Sequence, residues 1–559
     1  MKKDKNRENL YNMPILNMNH TKRVLFYITF AFIVFLGFFL RFYKLGETPD
    51  SLNWDEVSWG YNAYSILKTG KDEHGFSYPL SFKAFGDFKQ PVYVYLASIS
   101  VKIFGLNEFA VRFPSAFLGA LSIFLIYLLA SELFKRNSFN KWFSILSMFF
   151  FSISPWSIQF SRVAYEANAS LFFVLLGAWL FIKAANENKK YLFFLGGLFL
   201  ALSAYTYHSE KIFAPLLIFG LFLATKKTFQ KSKKLLVLLI VFYLITNLFW
   251  LVDLRTTVRG RSVAFFTNPT VLLEDSVERI IYDEKEGYIP GKFFHNRRFV
   301  YVQKYIENYL DYFNPNYLFL GFDNPRHHPP EMGILYLASL PLILIGVYYL
   351  LVNKGLLRNI IFYWLLTSPI PAALAIDAPN ASRGLTALPI FNIIEGVGLT
   401  ATISFLLSQR KKILLLPIIL TFSMNFFYFF HQYFIHTNTE TQKYWQYGYK
   451  EAIKTANSYS YNNKNVNIFF LKDIEQAYIF YLFYSKYDPL KYLNDGGSSR
   501  IFNTCFLIDN AFFGTCLGMI KKGDLLVVGN QADMNKDYIR VQTVSYLDKT
   551  PAITIFKKL

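Results

Sequence analysis

The chain has 559 residues, 53% of them hydrophobic and 19% aromatic, with a formal charge of +20 and a positive mean hydropathy. Those values exclude an ordinary soluble protein of this length and suit a polytopic membrane protein. They also argue against nucleic acid as a partner, because much of the Lys and Arg falls in short loops between apolar stretches, where it sets topology.

The run from Val24 to Leu40 carries no charge and, slightly extended, is long enough to cross a bilayer. Lys2, Lys3, Lys5, Arg7, Lys22 and Arg23 precede it, so the positive-inside rule puts the N-terminus in the cytoplasm. The run has no small-residue cleavage site and continues into Arg41-Phe-Tyr-Lys44, so it reads as a retained anchor rather than a signal peptide. About eleven spans follow one another at 24–41, 109–133, 142–158, 168–185, 190–206, 210–225, 235–252, 333–352, 359–376, 384–407 and 412–434. The loops after the even-numbered spans hold Lys135/Arg136/Lys141, Lys183/Lys189/Lys190, Lys226 through Lys234, Lys354/Arg358 and Arg410/Lys411/Lys412. All are basic, as inward loops should be, and the odd count puts the C-terminus outside.

Residues 1–436 therefore read as a transmembrane domain with two long outward segments, about 42–108 and 253–332. In the first, Asp55 and Glu56 emerge on the outer membrane surface, flanked by Trp54 and Trp59. Carboxylates there are placed to take a proton from a substrate that arrives in the lipid. The stretch Gln90 to Gly105, interrupted by Lys102, fits a helix lying in the interface. The second segment, rich in Arg, Tyr, Phe and Pro, is expected to hold further juxtamembrane helices. Residues 437–559 change character and read as a small extracytoplasmic α/β domain. Strands are expected at Asn465 to Leu471, Ile501 to Ile508 and Leu525 to Gly529, a helix near Asp473 to Tyr487, and a hairpin over Val541 to Lys557 turning at Asp548. Cys505 and Cys516 lie eleven residues apart in this tail, and a disulfide and two buried thiols both remain open.

Several motifs recur in order: Leu52-Asn-Trp-Asp-Glu, Thr69-Gly-Lys-Asp-Glu-His-Gly, Phe85-Gly-Asp-Phe-Lys-Gln-Pro, Val111-Arg-Phe-Pro-Ser, Ser154-Pro-Trp and Ser161-Arg-Val-Ala-Tyr-Glu-Ala-Asn. Tyr207-His-Ser-Glu-Lys-Ile-Phe-Ala-Pro, Asn324-Pro-Arg-His and Ser382-Arg-Gly-Leu-Thr-Ala-Leu-Pro follow. Over about residues 24–430 the set resembles the bacterial protein O-mannosyltransferase-like membrane glycosyltransferases (glycosyltransferase family 39), related to the aminoarabinose transferases. The resemblance implies a mainly helical GT-C fold. It also implies inverting transfer of a sugar from a polyprenyl-phosphate donor to an acceptor on the outer face of the cell membrane. Sugar and acceptor (lipid, polysaccharide or protein) stay open. The family's protein mannosyltransferases commonly carry a β-trefoil domain that this chain lacks.

Asp55 matches the family's catalytic aspartate and is expected to act as base, whereas a carboxylate at a helix N-terminus otherwise caps it. Glu56 is expected either to orient the acceptor or to bond nearby backbone. By resemblance Lys89 is a phosphate ligand, with a snorkelling lysine as the alternative. Asp87 is its ion-pair partner or a second acid. Asp72 and Glu73 read as a solvated turn. Arg162 and Glu166, four apart, are expected to face each other on a helix and to contact phosphate or sugar, or to form a structural pair. His208 and Lys211 are candidates for the same site. Arg326, His327 and Arg383 complete the set, since the guanidinium fork suits phosphate. His327 and His328, adjacent and without acidic residues at ligand spacing, are weak evidence for a metal; members of the resembling family differ in metal use, and no metal or cofactor is expected to be required. The rival readings are a flippase or transporter of lipid-linked sugar, a polysaccharide polymerase or ligase, and an assembly or sensor protein.

Overall fold

The computed structural model describes residues 20–559 except 136, 138, 139, 231, 232, 250–263, 268, 289, 322, 354, 355, 464, 465, 503, 504 and 532. Of the basic residues used above for topology, Lys2, Lys3, Lys5, Arg7, Arg136, Lys231 and Lys354 lie outside the described residues, as do 251 and 252 of the seventh span, 253–263 of the second outward segment, and Asn465, Asn503 and Thr504 within two expected strands.

The molecule is mainly helical, and a helix occupies each of the eleven apolar stretches. Five described helices are long and apolar enough to cross a membrane, or six if Asn140–Ile153 and Pro155–Arg162 form one bent span. Of the remaining stretches, two hold the shorter apolar helices Lys190–Ala204 and Ser339–Val352, whereas Glu210–Gln230 has 21 residues. At 1.5 Å per residue the two shorter helices fall short of a hydrocarbon core about 30 Å thick, so helix length alone gives fewer crossings than hydropathy does. Glu108–Leu133 and Glu166–Glu187 form the middle of the bundle, whereas His20–Phe42 and Leu415–His431 pack on its outside and expose Phe35 and Met424. Helices Glu166–Glu187 and Lys190–Ala204 pack through a glycine pair. A Cβ on Gly177 would sit 2.8 Å from the Gly196 carbonyl, so larger residues would force the backbones apart.

The bend of 53° between Asn140–Ile153 and Pro155–Arg162 has a local cause. Pro155 opens the second helix, and Ser154 caps it by accepting from the Ser157 N–H. The segments read from sequence as outward gather at one end of the bundle, where Arg162 reaches the Leu40 carbonyl, the Ala164 N–H reaches Glu56, Arg112 reaches the Pro49 carbonyl and His208 reaches that of Phe88. At another end, helices Glu108–Leu133 and Glu166–Glu187 meet where the Asn186 amide donates to the Glu132 carbonyl, beside two of the basic loops.

Three short elements of the first outward segment shape that end. Helix Trp54–Thr69 begins with a capping box: Asn53 accepts from Glu56 N–H, and Glu56 accepts from Asn53 N–H. It stops at Gly70, whose φ of 71° is the usual left-handed helix end. Strands β1 (Phe82–Ala84) and β2 (Asp87–Lys89) form a hairpin with Ala84 opposite Asp87. Both turn residues, Phe85 at φ 54° and Gly86 at φ 80°, are left-handed, as a two-residue turn between twisted strands requires. Helix Val92–Phe104 then occupies the stretch expected to lie in the interface.

The tail contains a six-stranded sheet in the order β4-β5-β3-β6-β8-β7, with β3 Ile468–Phe470, β4 Cys505–Ile508, β5 Ala511–Gly514, β6 Leu525–Gly529, β7 Tyr538–Ser545 and β8 Pro551–Lys558. β3 runs parallel to both β5 and β6; the other pairings are antiparallel. The strand expected at Leu525–Gly529 has those bounds, the other two are shortened to Ile468–Phe470 and Cys505–Ile508, and the hairpin turns near Asp548. Strand β5 and helix Tyr449–Asn462 go beyond the reading from sequence. Cys505 and Cys516 are bridged, which closes the β4–β5 hairpin. The tail does not stand apart. Its helix Ala477–Tyr484 shares one apolar cluster with Val57, Tyr61 and Tyr93 of the first long segment and Val111 of helix Glu108–Leu133, and Phe483 lies over Gly60, where a Cβ would be 2.5 Å from its ring.

Candidate active site

The sequence places two carboxylates side by side, and the first turn of helix Trp54–Thr69 separates them. Glu56 turns inward and is fully buried. Its Oε1 accepts from Arg112 Nε (3.0 Å) and from the Ala164 N–H (2.9 Å), and its Oε2 accepts from Arg112 Nη2 and the Asn53 N–H. Arg112 spends its other N–H groups on the carbonyls of Leu45, Pro49 and Ser51. This pair fixes the chain between the first helix and the capping box, and Glu56 does not line the cavity described below. Of its expected roles, the geometry fits the bond to nearby backbone.

Asp55, one residue earlier, points the other way. Its Oδ1 lies 3.0 Å from Lys89 Nζ at the end of β2. The lysine side chain is 9% exposed and the aspartate 28%, so the pair sits at a wall rather than inside the protein. That wall belongs to a cavity of about 800 Å³ lined on this side by Trp54, Asp55, Phe85, Asp87, Lys89 and Arg326. Arg326 lies over the Trp54 ring, its guanidinium carbon 5.9 Å from the ring centroid. Four of the residues singled out from sequence thus converge: Asp55, Asp87, Lys89 and Arg326.

The others support the wall without lining it. His208 Nε2 donates to the Phe88 carbonyl (3.0 Å), and Lys211 Nζ donates to His208 Nδ1 (3.4 Å), so both hold the strand that carries Lys89. His327 Nδ1 is 2.9 Å from Asp323 Oδ2, which also accepts from the Ala381 N–H. Burial pushes the Asp323 carboxyl up. The neighbouring His327 and the N–H groups of Asn324 and Ala381 outweigh it and leave the group below the usual carboxylate range. Arg383 pairs with Asp377 on the same loop system.

Two expectations need correction. Arg162 and Glu166 do not share a helix: Arg162 ends one, Glu166 begins the next, and Val163 between them is extended. Arg162 is fully buried and donates to the carbonyls of Leu40, Lys44 and Thr48, with Phe434 stacked 4.8 Å from its guanidinium carbon. Asp72 and Glu73 are not solvated. Glu73 accepts from Asn62 Nδ2 (2.9 Å) and from Ser498 Oγ of the tail (2.6 Å), and burial holds its carboxyl above the usual range.

Sequence reasoning missed the opposite wall. It comes from the tail: Phe470, Lys472, Glu475, Gln476 and Tyr478 around the turn after β3, with Phe513 and Gly514 at the end of β5. One signal was available. Helix Ala477–Tyr484 is apolar on every face, and such a helix must be covered on every face. Among the described residues no group of three or more His, Cys, Asp or Glu side chains is placed to hold a metal ion.

Comparison with known proteins adds an independent line. Residues 89–250 match the family described as dolichyl-phosphate-mannose-protein mannosyltransferase. An uncharacterized protein of Aquifex aeolicus is 30% identical over 207 residues, 37% of this chain and 40% of that protein. YkcB of Bacillus subtilis, provisionally named a mannosyltransferase, is 28% identical over 165 residues, 29% of this chain and 21% of its own. The chain thus spans less than half the length of these relatives. Among solved structures, ArnT from Cupriavidus metallidurans in the apo state aligns with a TM-score of 0.53 at 11% identity, covering 96% of this chain and 98% of that one. The same protein bound to undecaprenyl phosphate also scores 0.53 at 11% identity, covering 94% and 97%. An Archaeoglobus fulgidus oligosaccharyltransferase scores 0.52 at 14% identity, covering 82% and 61%. At such identities the likeness is one of fold. The chain therefore has the GT-C fold of membrane glycosyltransferases, with a mannosyltransferase-family segment at residues 89–250.

Proposed function

We propose that this protein is an inverting glycosyltransferase that moves a sugar from a polyprenyl-phosphate donor to an acceptor on the outer face of the cell membrane. The observation that carries the reading is the Asp55–Lys89 pair, 3.0 Å apart in the wall of an 800 Å³ cavity that also holds Arg326. The family match at 89–250 and the binding of undecaprenyl phosphate by the structurally similar ArnT support a lipid-linked donor.

In this reading an acceptor hydroxyl attacks the anomeric carbon from the side opposite the phosphate. The new C–O bond forms as the anomeric C–O bond to phosphate breaks, and the bonding pair leaves with the phosphate. The hydroxyl proton goes to Asp55, a contribution of about 10²–10⁴-fold for general base catalysis. The departing polyprenyl phosphate gains one negative charge, met by Lys89 and Arg326 without a metal. Arg162, Arg383 and Glu56 act through the scaffold. The N-terminus and basic loops face the cytoplasm, and the tail faces outward.

The test is donor turnover in lipid vesicles with radiolabelled polyprenyl-phosphate sugars, wild type beside Asp55→Asn. Release or transfer of sugar by the wild type, lost in a variant that still binds donor, is the expected result. Equal turnover in both removes Asp55 from the chemical step. Binding without turnover of any donor favours a flippase.

A further inference from the structure

The tail supplies ten of the seventeen residues that line the cavity, so it is the larger part of the site rather than a rim. It does so with one particular edge. β3 lies inside the sheet with parallel neighbours on both sides, β5 on one and β6 on the other. Phe470 and Leu471 close the carboxyl end of β3, Phe513 and Gly514 that of β5, and all four line the cavity. In sheets with parallel strands, ligands bind outside the carboxyl ends, where the chain leaves to opposite sides. The tail therefore presents a crevice at the carboxyl ends of its parallel strands to the cavity that Asp55 lines.

We infer that this crevice is the acceptor site of the glycosyltransferase proposed above, on which reading it rests, and that the acceptor is a glycan recognised by Lys472 and Glu475. Three features favour a glycan. Aromatic rings stand on both walls, Trp54 and Phe85 below, Phe470, Tyr478 and Phe513 above, and they offer faces to sugar rings. The charged groups on the tail side, Lys472 and Glu475, are of opposite sign and exposed, and with the neutral Gln476 beside them they suit neutral hydroxyls better than an anionic headgroup. The sheet's edges are β4 and β7, whereas the cavity meets β3 and β5, so no free edge is offered there for an extended peptide to extend the sheet. A sugar ring held between these walls brings one hydroxyl to Asp55 while its others reach Lys472 and Glu475.

The experiment uses the full chain in vesicles with a radiolabelled polyprenyl-phosphate sugar and three acceptor probes: mannotriose, a Ser/Thr-containing peptide, and a glycerophospholipid in the bilayer. It reads transfer to each probe and release of sugar to water in the same preparation. The expected result is transfer to mannotriose, with Lys472→Ala and Glu475→Ala each lowering the ratio of transfer to release at least about tenfold through a raised acceptor KM. Both side chains are exposed, and Lys536→Ala, exposed elsewhere on the tail, serves as the control that keeps the wild-type ratio. Preferred transfer to peptide or lipid, release without transfer to any probe, or an unchanged ratio in both variants overturns the inference while the glycosyltransferase stands. Neither release nor transfer by the wild type overturns both.

Discussion

Two sets of basic residues lie within the end of this molecule that carries Asp55, and burial sets them apart. Arg41, Arg112 and Arg162 are completely buried and give their N–H groups to the protein itself, mostly to backbone carbonyls of the chain after the first helix and of Phe151 and Ser152. Lys89 and Arg326 line a cavity, and what they contact there is a carboxylate and an aromatic ring. A guanidinium that is fully buried and lines no cavity has no face left for a phosphate. Charge and position in the sequence do not reveal that difference; burial of the side chain does.

Substitutions on the two sides should fail differently. Asp55→Asn should lower turnover by about 10²–10⁴-fold with little change in thermal stability, read by donor turnover beside a melting curve. Arg112→Ala should do the opposite. It leaves Glu56 charged and buried without its partner, at a cost of about 3–5 kcal/mol, and should appear as loss of folded protein in detergent. If Arg112→Ala folds normally and only loses activity, the division between scaffold and site is wrong. Glu73→Ala should be milder, about 1–3 kcal/mol, because it strands the Asn62 and Ser498 donors. Limited proteolysis should then release the tail before the membrane helices are cut.

The smallest effect concerns pH. The Asp323 carboxyl lies below its ordinary value of 3.8 in the folded protein. It therefore contributes stability that is present above the unfolded value and lost as pH falls through the folded one. Melting temperatures measured from about pH 6 down to about pH 3 should drop in the wild type, and Asp323→Asn should flatten part of that drop.

Much of the lower wall was legible in the sequence because its chemistry is local. Asp55 follows an N-cap residue and Lys89 ends a short hairpin, each within a motif of a few residues, and these two form the ion pair. Arg162 and Glu166 misled for the same reason: a spacing of four implies one helical face only if no break intervenes, and Val163 is a break. Glu73 looked like a surface turn because its partner, Ser498, lies 425 residues away. The upper wall was illegible on the same ground. Nothing near Lys472 in sequence shows that the end of β3 faces helix Trp54–Thr69. Only the all-round apolar character of Ala477–Tyr484 hinted at it.

The contact of Phe483 with Gly60 also has a consequence for biosynthesis. The lower wall precedes the upper wall in the chain, since residues 470–478 follow the described apolar helices of the bundle. A nascent chain carrying Asp55, Lys89 and Arg326 has one wall of the cavity, and the second forms once the tail folds onto helix Trp54–Thr69. A product cut short before β3 would therefore hold the Asp55–Lys89 pair in an open, water-filled groove.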